Sequence, residues 1–175
     1  EPVQRAISRK LYRLGQLEGE IGRLNAIIGE QQKRFDSLAE EYIAMGRDCL
    51  DEIEDITAAL ANFDKALSIS PRNVKALECK ARALTAAHTT EEAKETYTEL
   101  LDVDPTHLKA LLALADIAND EDDNYAALDR LLVAVKHYPE EARVYRRMAR
   151  IYDNIGDKEA ADYYREMEHR FRKKK

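Results

Sequence analysis

Three of the chain's four prolines stand at a fixed interval: Pro71, Pro105 and Pro139, each 34 residues from the next. The residues leading into them agree in character: Leu67-Ser68-Ile69-Ser70, Leu101-Asp102-Val103-Asp104 and Val135-Lys136-His137-Tyr138. Proline has no amide hydrogen and its ring clashes with the preceding helical turn, so each one stops a helix at the same point of a recurring unit. Such a unit cannot bury its own apolar face, and neighbouring units must stack to make a continuous core.

Between the prolines the apolar positions run in phase. The first unit supplies Tyr42, Met45, Gly46 and Cys49, then Ala59, Phe63 and Ala66. The second supplies Leu77, Ala81 and Leu84, then Ala93, Tyr97 and Leu100. The third supplies Leu111, Leu114, Ala115 and Ala118, then Ala127, Leu131 and Ala134. The fourth supplies Tyr145, Met148, Ala149, Tyr152 and Gly156, then Ala160, Tyr164 and Met167, with no closing proline. The first unit holds one extra residue in the turn Asp51–Asp55, and the fourth runs one residue short after Gly156-Asp157. Lys80 stands where Leu is usual.

From residue 39 to about 171 this pattern resembles the tetratricopeptide repeat family. The resemblance implies an all-α superhelix of antiparallel helix pairs, A and B, in four repeats at about 39–73, 74–107, 108–141 and 142–172 within 39–175. Small residues at Gly46, Ala81, Ala115 and Ala149 let helix B approach helix A closely, and large residues fill the space between repeats.

Residues 1–38 follow a heptad instead. With Ile7 at position a, the a/d series reads Val3, Ile7, Lys10, Leu14, Leu17, Ile21, Leu24, Ile28, Gln31, Phe35, Leu38, Tyr42, Met45. Its only polar members are Lys10 and Gln31, and it continues into helix A of the first repeat. One helix of about 48 residues and about 70 Å is expected. Four repeats cannot cover a stripe of that length, so it calls for a partner helix. A coiled-coil homodimer through Ile7, Leu14, Leu17, Ile21, Leu24, Ile28 and Phe35 is the preferred reading. Gly15, Gly22 and Gly29 recur beside the a positions. They leave open a strip for close helix approach, a soft helix, a hairpin broken near Gly29, or a degenerate extra repeat.

The remaining composition narrows function. The formal net charge is −6, which argues against a general nucleic-acid binder. Cys49 and Cys79 fall in helical patterns, so a disulfide framework is not expected and a reducing, cytoplasmic setting fits. No apolar run is long enough to span a membrane. The chain begins Glu1-Pro2, as a piece of a longer protein would. No phosphate-binding glycine loop or metal-spaced Cys/His cluster is present, so no enzyme, cofactor or metal is expected. His88, His107, His137 and His169 read as solvated turn residues. The run Asn119-Asp120-Glu121-Asp122-Asp123-Asn124 lacks the glycine and distant Glu of a calcium loop, and reads as capping for helix B.

The resemblance places the A helices on a concave face. Arg47, Lys75, Arg82, Lys109, Arg143, Arg146, Arg147 and Arg150 then fall on that face, making a basic groove suited to an acidic peptide. Asp116, Glu78, Asn119 and Asn154 occupy positions on the same face, and the alternative is that the arginines pair with local Asp and Glu and form a solvated face. The carboxylate clamp by which some family members bind chaperone C-termini is not matched, since Ile43, Cys79 and Ala113 stand at its positions. The reading is a non-enzymatic protein-interaction scaffold that dimerises through the arm. The alternatives are a structural self-assembly unit and a nucleic-acid-binding repeat using the Arg face and the basic end His169-Arg170-Phe171-Arg172-Lys173-Lys174-Lys175.

Overall fold

The computed structural model describes residues 2–172. Its helices are α1 (Pro2–Asp51), α2 (Ile56–Ile69), α3 (Val74–Ala86), α4 (Thr90–Val103), α5 (Leu108–Asp120), α6 (Asn124–His137), α7 (Ala142–Ile155) and α8 (Lys158–Arg172). Among the described residues there are no strands. The last turns of α1 pair with α2, and the pairs α3/α4, α5/α6 and α7/α8 follow. Successive pairs meet through α2 and α3, α4 and α5, and α6 and α7, while α1 touches α3 and α5 touches α7. The first-mentioned helices of the pairs therefore share one side of the stack.

α1 is continuous for 50 residues. Gly15, Gly19, Gly22 and Gly29 lie inside it without a break, which removes the hairpin broken at Gly29. Residues 2–38 are exposed throughout, which removes an extra repeat. From Ala39 onward the same helix turns apolar on the side that faces α2, and Ala39, Ile43 and Gly46 are buried.

The turns inside the pairs share one device. Glu54, His88, Asp122 and Gly156 all have positive φ, and each is 34 residues from the next. A left-handed residue ends a helix by turning the chain back on itself, and glycine does so at least cost. One residue later stands the helix-capping position: Asp55 accepts the Ala58 amide at 2.9 Å and Asp123 the Ala126 amide at 3.0 Å. Asp157 accepts the Ala160 amide at 3.0 Å. Thr89 occupies the same place without a side-chain cap. Asp123 thus takes the capping role read from the acidic run.

The extra residue of the first unit is visible in this turn. The Asp55 amide bonds back to the Cys49 carbonyl, six residues away, whereas Thr89, Asp123 and Asp157 bond five residues back, to Leu84, Ala118 and Tyr152. The fourth unit corrects the sequence reading. Its cap and helix start keep the 34-residue phase, and the buried alanine is Ala161, fully enclosed, while Ala160 is half-buried. Only the large residues beyond it, Tyr164 and Met167, fall one place early.

The core runs along the stack as two clusters joined by Leu60 and Leu67: Phe63 belongs to the first, and Leu77, Leu100, Leu111, Leu131, Val144, Met148 and Ile151 to the second, all enclosed. Ala81, Ala115 and Ala149 are buried at the closest approaches of A to B. At Gly46 the approach is closer still, since a methyl group there would lie 2.5 Å from the Phe63 ring. Lys80, the departure from the usual Leu, reaches across to Asp64 of α2 at 2.7 Å. The fourth pair closes with stacked aromatics, Tyr145 on Phe171 at 5.4 Å and Tyr152 on Tyr164 at 5.3 Å between ring centres.

Candidate functional site

The cations expected on the concave face do lie on α1, α3, α5 and α7, but most are already engaged. Lys75 of α3 meets Glu40 of α1 at 3.0 Å. Lys109 of α5 meets Glu78 of α3 at 2.5 Å. Arg147 and Arg150 of α7 converge on the two oxygens of Asp116 of α5, at 2.7 and 2.6 Å. Asn154 donates to Asn119 at 3.0 Å in the same row. These contacts tie each A helix to the one before it. Arg146 turns to Glu168 of α8 at 3.0 Å, and Arg143 folds back on Glu141 at 2.9 Å. The hydrogen bond to Glu141 raises the pKa of the Arg143 guanidinium above its ordinary value.

Arg47 and Arg82 differ. Among the described residues neither takes part in an ion pair, and both are exposed. The positive charge of each is felt at the Cys79 thiol of α3. Burial pushes that thiol above its ordinary value, and the positive charges of Arg82 and Arg47 pull against the shift. Beyond them, Arg146, Arg147 and Arg150 line a cleft with Asp116 and Asp120. Two guanidiniums share the single Asp116 carboxylate, which leaves unused N–H donors, while Asp120 and the Glu168 partner of Arg146 balance the charge of this end. The face is a basic patch at Arg47 and Arg82, then a mixed-charge zone centred on Asp116.

The alternative that the cations pair with local Asp and Glu holds for six of the eight, though the sequence did not name the pairs. The signal was available: Lys109 and Glu78, and Arg147 and Asp116, are each 31 residues apart. That interval joins neighbouring positions on successive A helices. His107 also departs from a solvated turn residue. Its Nδ1 accepts the Ala110 amide at 3.3 Å to cap α5, and its Nε2 lies 3.2 Å from Glu78. A neutral imidazole with its proton on Nε2 satisfies both.

The dimerisation residues read from the heptad all lie on the exposed length of α1. Ile7, Leu14, Leu17, Ile21, Leu24, Ile28 and Phe35 stand about half exposed or more, on one continuous stripe. At the other end, His169, Arg170 and Arg172 close the last turn of α8, and 173–175 of the basic end lie outside the described residues. None of the described helices is long and apolar enough to cross a membrane.

Stacked helix pairs with a shared A-helix face define a helical-repeat protein. The phase of the caps, turns and buried alanines specifies the kind: the fold is the tetratricopeptide-repeat superhelix, preceded by a long N-terminal helix. Solved structures agree. The chain superposes on a crystal structure of MamA with a TM-score of 0.72, at 15% identity, covering 78% of this chain and 79% of that one. MamA from Desulfovibrio magneticus RS-1 gives 0.69 at 18% identity, covering 78% and 77%. PilF of Pseudomonas aeruginosa gives 0.69 at 23% identity, covering 81% and 64%. In sequence, the chain is 31% identical over 138 residues to cellulose synthase operon protein C of Pseudomonas fluorescens (strain SBW25). That match takes in 77% of this chain and spans 11% of the relative's length. No protein-family profile matches the chain.

Proposed function

We propose that the chain is a non-enzymatic protein-interaction scaffold whose A-helix face binds an acidic peptide segment and whose arm joins it to a second copy. The observation that carries the groove reading is that Arg47 and Arg82 are both exposed and, among the described residues, without ion-pair partners, on a face where the other cations are engaged. A peptide carboxylate meeting them gains charge-assisted hydrogen bonds without first breaking an internal ion pair. Further along, such a segment competes with Asp116 for Arg147 and Arg150. Arg47 and Arg82 are therefore the anchor, and the α7 arginines an extension of it. The scaffold reading also draws on the fold, whose A helices share one side of the stack.

The test is fluorescence anisotropy with a labelled Glu-rich peptide, with a labelled single-stranded oligonucleotide alongside. Wild-type chain binds the peptide, with affinity falling as salt rises. Arg47→Glu/Arg82→Glu, checked for native helix content, loses at least tenfold in affinity. Equal affinity for wild type and variant refutes the groove reading. Preference for the oligonucleotide moves the site to the nucleic-acid class.

A further inference from the structure

The exposed arm carries information about orientation as well as pairing. We propose that the arms of two copies pair as a parallel, in-register, two-stranded coiled coil, with Gln31 meeting Gln31 and Arg13 meeting Glu18 of the second copy. This rests on the dimer reading above and adds the geometry to it.

The stripe from Val3 to Leu38 is roughly five heptads, more than the three or four a lasting coiled coil needs. The side chains that occupy it follow the rule for two parallel strands. Three a positions are the β-branched Ile7, Ile21 and Ile28, and three d positions are Leu17, Leu24 and Leu38.

Flanking charges choose between orientations. In a parallel pair each g residue faces the e residue five places on in the other strand. Arg13 then meets Glu18 of the second copy, twice per dimer by symmetry, and Glu20 meets Asn25. Among the described residues neither Arg13 nor Glu18 has an ion pair inside its own arm, so both are available. Antiparallel pairing at full overlap sets Arg13 against Arg34 twice. Sliding it by one heptad so that Ile7 meets Gln31 sets Glu18 against Glu18 and Glu20 against Glu20. A further heptad brings Arg13 to Glu20 but leaves Phe35 and Leu38 uncovered. The opposite slide sets Glu20 against Arg34 but lays Val3 and Ile7 along Cys49 and Met45, where Cys49 is already partly buried in the repeat stack.

The polar layers agree. A primary amide carries both donor and acceptor, so two Gln31 side chains in one layer satisfy each other. In the full antiparallel overlap each is buried against Leu14, with no partner. Lys10 meeting Lys10 is the one layer that opposes the parallel arrangement. Its flexible four-carbon stem can carry the ammonium out to water from that layer. Parallel pairing brings both repeat arrays to the same end of the shaft.

Sedimentation equilibrium on the full chain tests this with charge swaps. Arg13→Glu weakens the wild-type dimer roughly three- to tenfold, and Arg13→Glu/Glu18→Arg restores it. In the full antiparallel overlap Arg13→Glu tightens the dimer instead, which overturns the orientation and leaves the dimer standing. Gln31→Cys supplies a second reading on an exposed position that the fold does not use. Mild oxidation links Cys at that site to itself across the pair, with wild-type chain, carrying Cys49 and Cys79, as the control. A dimer that cross-links only when Gln31→Cys is mixed with Leu14→Cys overturns the parallel arrangement. A monomeric mass for the wild type refutes the dimer reading itself, and this inference with it.

Discussion

An added methyl group at Gly46 meets the Phe63 ring at 2.5 to 2.9 Å, and Phe63 is enclosed on all sides. Alanine is the better helix former by about 1 kcal/mol, but overpacking a tight core costs about 1–3 kcal/mol. The clash wins because the ring has nowhere to go. Gly46→Ala is expected to destabilise the fold by up to roughly 2 kcal/mol in urea unfolding. Gly22→Ala, in open space on the arm, raises helix stability instead. Three tyrosines give a second residue-scale test. Burial raises the phenols of Tyr97, Tyr145 and Tyr164 above their ordinary value. Their folded-state values exceed the unfolded value of about 10, so the stability they supply is fully present below that pH. It is lost as pH rises through the folded values. An ultraviolet alkaline titration is expected to show these phenols ionising late, together with loss of helix signal. Ionisation at the free-phenol value in the native state contradicts their burial.

At the scale of the helix and its turn, Glu54, His88, Asp122 and Gly156 hold equivalent left-handed positions, yet only the last is glycine. A side chain costs about 1 kcal/mol in that conformation. His88→Gly and Asp122→Gly are each expected to raise unfolding free energy by roughly 0.5–1 kcal/mol, and Gly156→Ala to lower it by a similar amount. Opposite signs in a denaturant series refute the assignment of these turns. The elements were legible because their signals are local. Pro71, Pro105 and Pro139 mark the helix ends, the Asp51–Asp55 turn shows its extra residue, and the heptad of α1 runs unbroken. The fourth pair misled because Ala160 and Ala161 are adjacent, and the early aromatics pointed to the wrong one. The groove was legible only by half. Arg147 and Arg150 are visible on one helix, but their neutralisation by Asp116 depends on two helices lying side by side.

Across the whole molecule, neighbouring pairs contact only neighbouring pairs, with ion-pair rungs from Glu40 to Lys75, Glu78 to Lys109 and Asp116 to Arg147 along one face. Stability in such a stack is a sum of pair and interface contributions. Asp116→Asn removes one rung and releases two guanidiniums. The expected outcome is a small loss of stability and tighter binding of a Glu-rich peptide in the anisotropy titration. Weaker peptide binding contradicts the view that Asp116 competes with the ligand. The arm stands apart from this stack, and a stripe of large apolar side chains along roughly five heptads in water demands cover that the chain itself does not provide.

The most direct test of the scaffold as a paired molecule is therefore its mass in solution. Light scattering behind size exclusion, over a range up to about tens of micromolar, the concentration scale at which weak specific pairs form, compares the full chain with Leu17→Glu/Leu24→Glu. Both substitutions lie on the exposed arm and leave the repeat core untouched. The account predicts twice 20.0 kDa for the wild type and 20.0 kDa for the variant. A wild-type mass of 20.0 kDa throughout the range contradicts it.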